Sequence, residues 1–374
     1  MNKLILATLI LTLCLCSCTK LPPANDDVSM VIGTYTDSGS YGMYSVSFDQ
    51  ETGTYTLLDS IKAVNPSYLI FSADSTIIYA VNEVDDNQGG VSSIKYDKAN
   101  GTFNLLNGTA TGSGAPCYLA TNGKILATAN YGGGSLTVFP IAENGIVLPV
   151  DTLYVGSVGG PDSTRQESPH VHCVEFTPDG KYLFASDFSA DRLLAFEVVE
   201  GGHKLIPLLN EKGEQVVVPV ESDYGPRHII FDESGKHAYV IGELSGKVTV
   251  FDYNDERLTQ KQIIDGDPYD GRGSSDIHLS PDGRYLYTSN RLKGDGINIF
   301  EVNTETGELT QAGYQLTGPH PRHFNITPNG KWMLVACRDS NEIEVYAIDK
   351  KTGLLSPTDT RITIPKPVCV QFLP

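Results

Sequence analysis

The sequence predicts an all-β chain closed as a seven-bladed β-propeller, with its N- and C-terminal strands paired in one blade, and three observations predict it. One unit recurs seven times: an apolar strand, a tight Pro-Asp-Gly-type turn, and a second apolar strand ending in a polar residue. The copies are about 50 residues apart with several short strands per repeat, a period that belongs to propellers. The last copy, Val368 to Pro374, stops at its turn. A strand left without its hairpin partner would expose an open sheet edge. The segment Ser29 to Tyr35 at the other end reads as that partner, which makes six whole hairpins and one split hairpin.

Taken in order, residues 1–17 form a signal peptide: Lys3 precedes the apolar run Leu4 to Leu15, too short to span a bilayer. Leu15-Cys16-Ser17-Cys18 looks like a bacterial lipobox, so Cys18 is expected to carry lipid and residues 18–28 to form a tether. The protein would then work in the cell envelope, held at a membrane through its lipid. Residues 29–374 form the propeller. Its first blade takes Ser29 to Tyr35, then Tyr41 to Phe48 and Tyr55 to Ser60 as outer strands. Weaker hairpins centre on Ser75, Gly123 and Gly235. The clearest surround Thr177-Pro178-Asp179-Gly180, Ser280-Pro281-Asp282-Gly283 and Thr327-Pro328-Asn329-Gly330.

Composition agrees. In 374 residues there are 37 Gly and 21 Pro, as many turns require, and no long stretch has helical periodicity. A net charge of −18 argues against nucleic acid as a partner. Cys117, Cys173, Cys337 and Cys369 fall in different blades and mostly apolar contexts, so buried free thiols are expected. No spacing argues for zinc or another cofactor. Gly132-Gly133-Gly134 lacks the strand-to-helix setting and the Lys of a phosphate loop, and is a tight connection instead.

Against this acidic background the basic residues cluster. The two ends of every hairpin emerge at one rim. Eight residues before each turn residue stand Ser67, Ala115, His172, Arg227, Ser275 and Arg322; eight after stand Glu83, Tyr131, Phe188, Glu243, Arg291 and Arg338. If these hairpins are innermost, four arginines, a histidine and two glutamates surround the mouth of the central channel. His170, His228, His278, His320 and His323 flank the same starts. For His278, His323, Asp187 and Asp276 a hydrogen-bonding role between blades is the simpler reading. Four converging guanidiniums would repel one another without an anion, so Arg227, Arg291, Arg322 and Arg338 point to a ligand.

Pro169-His170-Val171-His172, Gly225-Pro226-Arg227-His228, Gly242-Glu243-Leu244 and Ser289-Asn290-Arg291 together resemble the seven-bladed propeller lactonase family, which includes bacterial 6-phosphogluconolactonases and fungal carboxymuconate lactonising enzymes. The resemblance runs from about Val31 to Phe372. It implies a metal-independent site in the propeller mouth that acts on a small-molecule lactone, with His172, Arg227, Glu243 and Arg291 as catalytic candidates. His170, Arg322, Arg338, Glu83 and Tyr131 are the substrate-binding candidates. Hydrolysis needs a base for water, an oxyanion donor and a proton for the leaving alkoxide. His172 or Glu243 fits the first role, Arg227 and Arg291 the second, and Arg322 and Arg338 fit an anionic group. A cycloisomerase or lyase, and a non-catalytic binding propeller, are the alternatives. Export and a phosphorylated substrate pull apart, since phosphorylated sugar lactones are cytoplasmic.

Overall fold

A computed structural model describes residues 27–85, 88–254 and 256–373. The segment read as a signal peptide and Cys18, the expected lipidation site, lie outside the described residues. Seven antiparallel sheets stand around one channel, one of them with an added strand, Val217–Pro219. Six sheets are built from consecutive strands, whereas the first joins Asp27–Thr34, Gly42–Asp49 and Tyr55–Lys62 to the chain's last strand, Pro367–Phe372. Met30 pairs with Phe372 and Ile32 with Val370. The ring therefore closes as expected. The first strand begins at Asp27, two residues inside the range assigned to the tether. Two single 3-10 turns, Phe188–Ala190 and Glu200–Gly202, are the helical elements among the described residues.

The recurring turn has a local cause. Thr177 donates its hydroxyl to Asp179 at 2.6 Å, Ser280 to Asp282 at 2.6 Å and Thr327 to Asn329 at 2.9 Å, while the glycine that follows closes the turn with a backbone bond. Those glycines need φ near +70° (Gly180 +70°, Gly283 +69°, Gly330 +67°), and Ser75 takes the same role at +55°.

Beyond the turn, side chains two residues past each channel-mouth position wedge between neighbouring blades: Leu69, Leu119, Val174, Ile229, Ile277, Phe324 and Val370 are all buried. Burial at each such position is worth about 1.5–3 kcal/mol. Gly33 is forced by the close approach of the first and second blades, because a Cβ there would collide with the Pro66 carbonyl oxygen. The closing seam is also tied by Trp332, whose indole donates to the Gln50 carbonyl at 2.7 Å.

The turn spacing predicts that residues equally far before and after each turn face each other up to the rim, and that expectation is corrected. Residues equally far from the turn do not face each other near the mouth, because six blades show a one-residue register shift there. In the fifth blade Pro226 pairs with Gly242 and His228 with Ile241, leaving Arg227 as the extra residue. Arg322 is the extra residue between Pro321 and His323, and Cys117 between Pro116 and Tyr118. Shifts also fall at Val171/Val174, Ser274/Ile277 and Gly33/Thr34. A bulge bends the strand and re-aims its extra side chain. The innermost strands thus turn a ladder position into a channel-mouth position.

Candidate active site

The mouth encloses a cavity of about 230 Å³ lined by Tyr35, Glu83, Cys117, Tyr131, Arg165, His172, Glu243, Arg291, His320, Arg322 and Arg338. Seven of the nine predicted site residues are in that wall, and two are not. Arg227 is 2 % exposed and lies beneath the wall, with Nε donating to Glu243 Oε2 at 2.9 Å and Nη1 to the Ser275 carbonyl at 2.7 Å. His170 sits behind Tyr131, stacked on its ring at 4.1 Å and bonded through Nδ1 to its carbonyl at 2.6 Å.

Four wall residues were not predicted as site residues. Tyr35 follows the second strand of the split hairpin and occupies the position Glu83 and Glu243 hold in theirs, so the repeat itself pointed to it. Cys117 was displaced by a turn two residues shorter than the others: Tyr131 N–H bonds to Ala115 as Glu243 N–H bonds to Gly225. The candidate Ala115 therefore belongs two residues earlier in the pattern. His320 only flanks a hairpin start in the sequence. Arg165 comes from the long connection before the fourth blade, where no repeat operates.

Electrostatically the wall is two carboxylates among four guanidiniums. Glu243 meets Arg227 at 2.9 Å, Arg291 at 3.2 Å and Arg165 at 2.5 Å. Burial would raise its pKa, but Arg291, Arg227 and Arg165 outweigh it and hold the carboxyl at about 2. Burial, reinforced by Arg227 and Arg322 and opposed by Glu243, pushes Arg291 down to about 9, still protonated at neutral pH. On the other side Tyr35 donates to Glu83 at 3.0 Å, and Arg322 lies over the Tyr35 ring at 5.4 Å and 3.8 Å from Glu83. Arg338 is half-exposed at the rim, bidentate on Asp339 at 2.8 and 3.0 Å. His172 sits deeper, its Nδ1 3.8 Å from the Cys117 thiol. Burial, then Arg227, His228 and Arg322, hold it well below the usual histidine range, so it is neutral.

Under this floor the channel is filled. Tyr68 and Tyr118 stack at 4.0 Å, and the ligand atoms of Asp276, His278 and His323 lie within 4.8 Å of one another. That trio resembles a metal site in composition, but its protons are already placed. Asp276 accepts from His228 at 2.9 Å, from His278 at 3.0 Å and from the Phe324 amide at 3.2 Å. His323 Nδ1 accepts the Val370 amide, which leaves the proton on Nε2, facing Asp276 at 3.5 Å. Asp276 and His323 thus join neighbouring blades, as the simpler reading expected, whereas His278 bonds within its own strand, to Asp276; Asp187 pairs with Arg192 and Ser157 beside the third-to-fourth blade connection. The four domain cysteines are free and buried.

A model of the family described as lactonase, 7-bladed β-propeller, matches residues 29–372. The chain belongs to that family. Within it, the chain is 34 % identical over 353 residues to a 6-phosphogluconolactonase of Bacillus subtilis, covering 91 % of this chain and 97 % of the relative. Among solved structures, a putative 6-phosphogluconolactonase from Bacteroides uniformis superposes with a TM-score of 0.90 at 52 % identity, covering 93 % of this chain and 100 % of the other. A periplasmic gluconolactonase from Pseudomonas aeruginosa does so with a TM-score of 0.87 at 31 % identity, covering 93 % and 99 %.

Proposed function

We propose that the protein is a lactone hydrolase of the 6-phosphogluconolactonase type, opening a sugar lactone at the propeller mouth. The observation that carries this reading is the meeting of Arg165, Arg291, Arg322 and Arg338 with a neutral, buried His172 in one cavity. Water attacks the lactone carbonyl carbon while His172 takes its proton. The tetrahedral oxyanion is stabilised by guanidinium N–H groups of Arg291 and Arg165. The ring C–O bond then breaks, and the alkoxide leaves with the proton from the imidazolium, giving a hydroxy acid. Glu243 is a weaker candidate for the base, since its carboxyl sits at about 2 and its oxygens already accept from Arg165 and Arg227 and pair with Arg291. With an uncharged sugar lactone Arg322 and Arg338 would donate to its hydroxyl oxygens; a phosphorylated one would place an anion there and partly offset the positive field that, after burial, holds His172 deprotonated. Arg227, out of reach of the cavity, holds Glu243 in place and Glu243 orients Arg165 and Arg291.

The relatives include both phosphorylated and unphosphorylated sugar-lactone enzymes by name, and the periplasmic one fits an exported chain. We therefore assign the unphosphorylated lactone as the envelope substrate, with the protein attached through Cys18. The first strand enters at Asp27 on the face of the hairpin turns and reaches the mouth at Tyr35, so a tether would leave the mouth facing away from the membrane. Steady-state hydrolysis of glucono-1,5-lactone and its 6-phosphate in ¹⁸O water tests the reaction. Label in the product carboxylate is expected; product without label identifies a cycloisomerase, and no turnover by folded protein identifies a binding propeller. Replacing Cys18 with Ala should abolish lipid labelling, and persistent labelling would rule the anchor out.

A further inference from the structure

We infer that His228 and Asp276 form a positioning relay for the arginine cluster, in which Asp276 fixes the tautomer of His228 and His228 fixes the guanidinium of Arg227. This rests on the reading of the mouth as a lactonase site. Arg227 Nη1 carries two hydrogens and faces two acceptors, the Ser275 carbonyl at 2.7 Å and His228 Nε2 at 2.9 Å. For Nε2 to accept, the imidazole must be neutral with its proton on Nδ1. That proton has a partner, Asp276 Oδ1, at 2.9 Å. The hydrogen-bond network therefore sets the tautomer.

All three groups are buried, Arg227 at 2 %, His228 at 4 % and Asp276 at 2 % exposure, so water does not replace a lost partner cheaply. Asp276 is itself immobilised through Oδ2 by His278 and the Phe324 amide, one from its own blade and one from the next. The relay thus runs from the sixth blade, through His228, to Arg227 on the fifth, and on to Glu243, on whose oxygens Arg165 and Arg291 also sit. A histidine suits the middle position because a neutral imidazole has a donor on one edge and an acceptor on the other. His228 also packs against Tyr118 with ring centroids 4.9 Å apart, and this supplies the competing explanation, that the ring serves only to fill the channel.

Three substitutions separate the two. Gln at 228 can place an oxygen near the Nε2 position, Asn can keep only the bond toward Asp276, and Phe keeps the ring but neither bond. The relay predicts that His228→Gln retains most of kcat, while His228→Asn and His228→Phe lose about ten- to hundredfold with little change in KM. Channel filling predicts the reverse order, with His228→Phe the mildest, and that order would overturn the relay. In an Arg227→Ala background His228→Phe should add almost no further loss; an additive loss would also overturn it. A second measurement is independent of turnover. In ¹⁵N-histidine-labelled wild-type protein, His228 should show a protonated Nδ1 and an unprotonated Nε2 at pH 7, and Arg227→Ala should shift the Nε2 resonance. A proton on Nε2 would refute the relay even if no lactone is hydrolysed, whereas the expected resonances in a protein inert toward lactones would refute only the lactonase reading.

Discussion

Glu243 is ionised because three guanidiniums outweigh its burial, and the same clamp limits what it contributes to catalysis. Changing Glu243 to Gln should lower kcat/KM by about two to three powers of ten, as loss of transition-state charge stabilisation does, yet leave the acidic limb of the pH-rate profile in place. His172→Asn should remove that limb. Profiles of the two variants measured side by side check the assignment; loss of the limb in the Glu243 variant alone would reverse it. Arg338 has a different position, at the rim and held by its neighbour Asp339, so Arg338→Ala should mainly raise KM, read from initial rates over a substrate series. Most of these side chains were legible because each hairpin delivers its ends to the mouth, and counting from the turn finds them. Counting could not show that Arg227 lies beneath the wall while Arg291 lines it. Depth depends on side-chain packing against Ser275 and His228, which no spacing encodes.

At the level of the element, the turn and the bulge divide the work. The turn sets where a hairpin reverses, on the face opposite the mouth, and the bulge aims one side chain into the channel. Gly180 has φ of +70° and open space where a Cβ would stand, so Gly180→Ala meets only the backbone penalty of the left-handed region. That is about 1–2 kcal/mol, visible in urea unfolding, with kcat/KM unchanged. A fall in activity would mean that the two faces are coupled. The turns were readable because Thr or Ser, Asp or Asn, and Gly each have a fixed job in them. The bulges were not, since an extra residue in a strand looks like any other until its partner strand is seen. Arg165 was illegible for a third reason: it stands on a connection held by long-range bonds, Gln166 to Asp191 and Asp162 to Arg272, rather than by a repeat.

Across the whole molecule, the ring depends on one strand from each end of the chain. Removing residues 367–374 should leave no cooperatively folded monomer at 25 °C, judged by circular dichroism and gel filtration, because the first blade loses its innermost strand and the channel loses a wall. The histidines in the channel and mouth set the pH response. Burial first of all holds His228 and His320 at about 3 and His323 at about 4, against an unfolded value near 6.5, so between those limits the unfolded chain binds more protons and stability rises with pH. Half-buried Glu175 opposes this, its carboxyl raised by desolvation to about 8, so its contribution is lost as pH climbs toward that value. Thermal stability should therefore peak near pH 6.5 and fall on both sides, more steeply on the acid side; a flat profile from pH 5 to 8 would contradict it. The closing pair Met30 with Phe372 also has a meaning in time. The strand that completes the first blade is made after every other strand of the ring, so until it emerges the first strand presents an unsatisfied edge. That edge fits the closing strand of a second copy as well as its own, and when chains are crowded a strand-exchanged dimer is the misfolded product that this closure makes available.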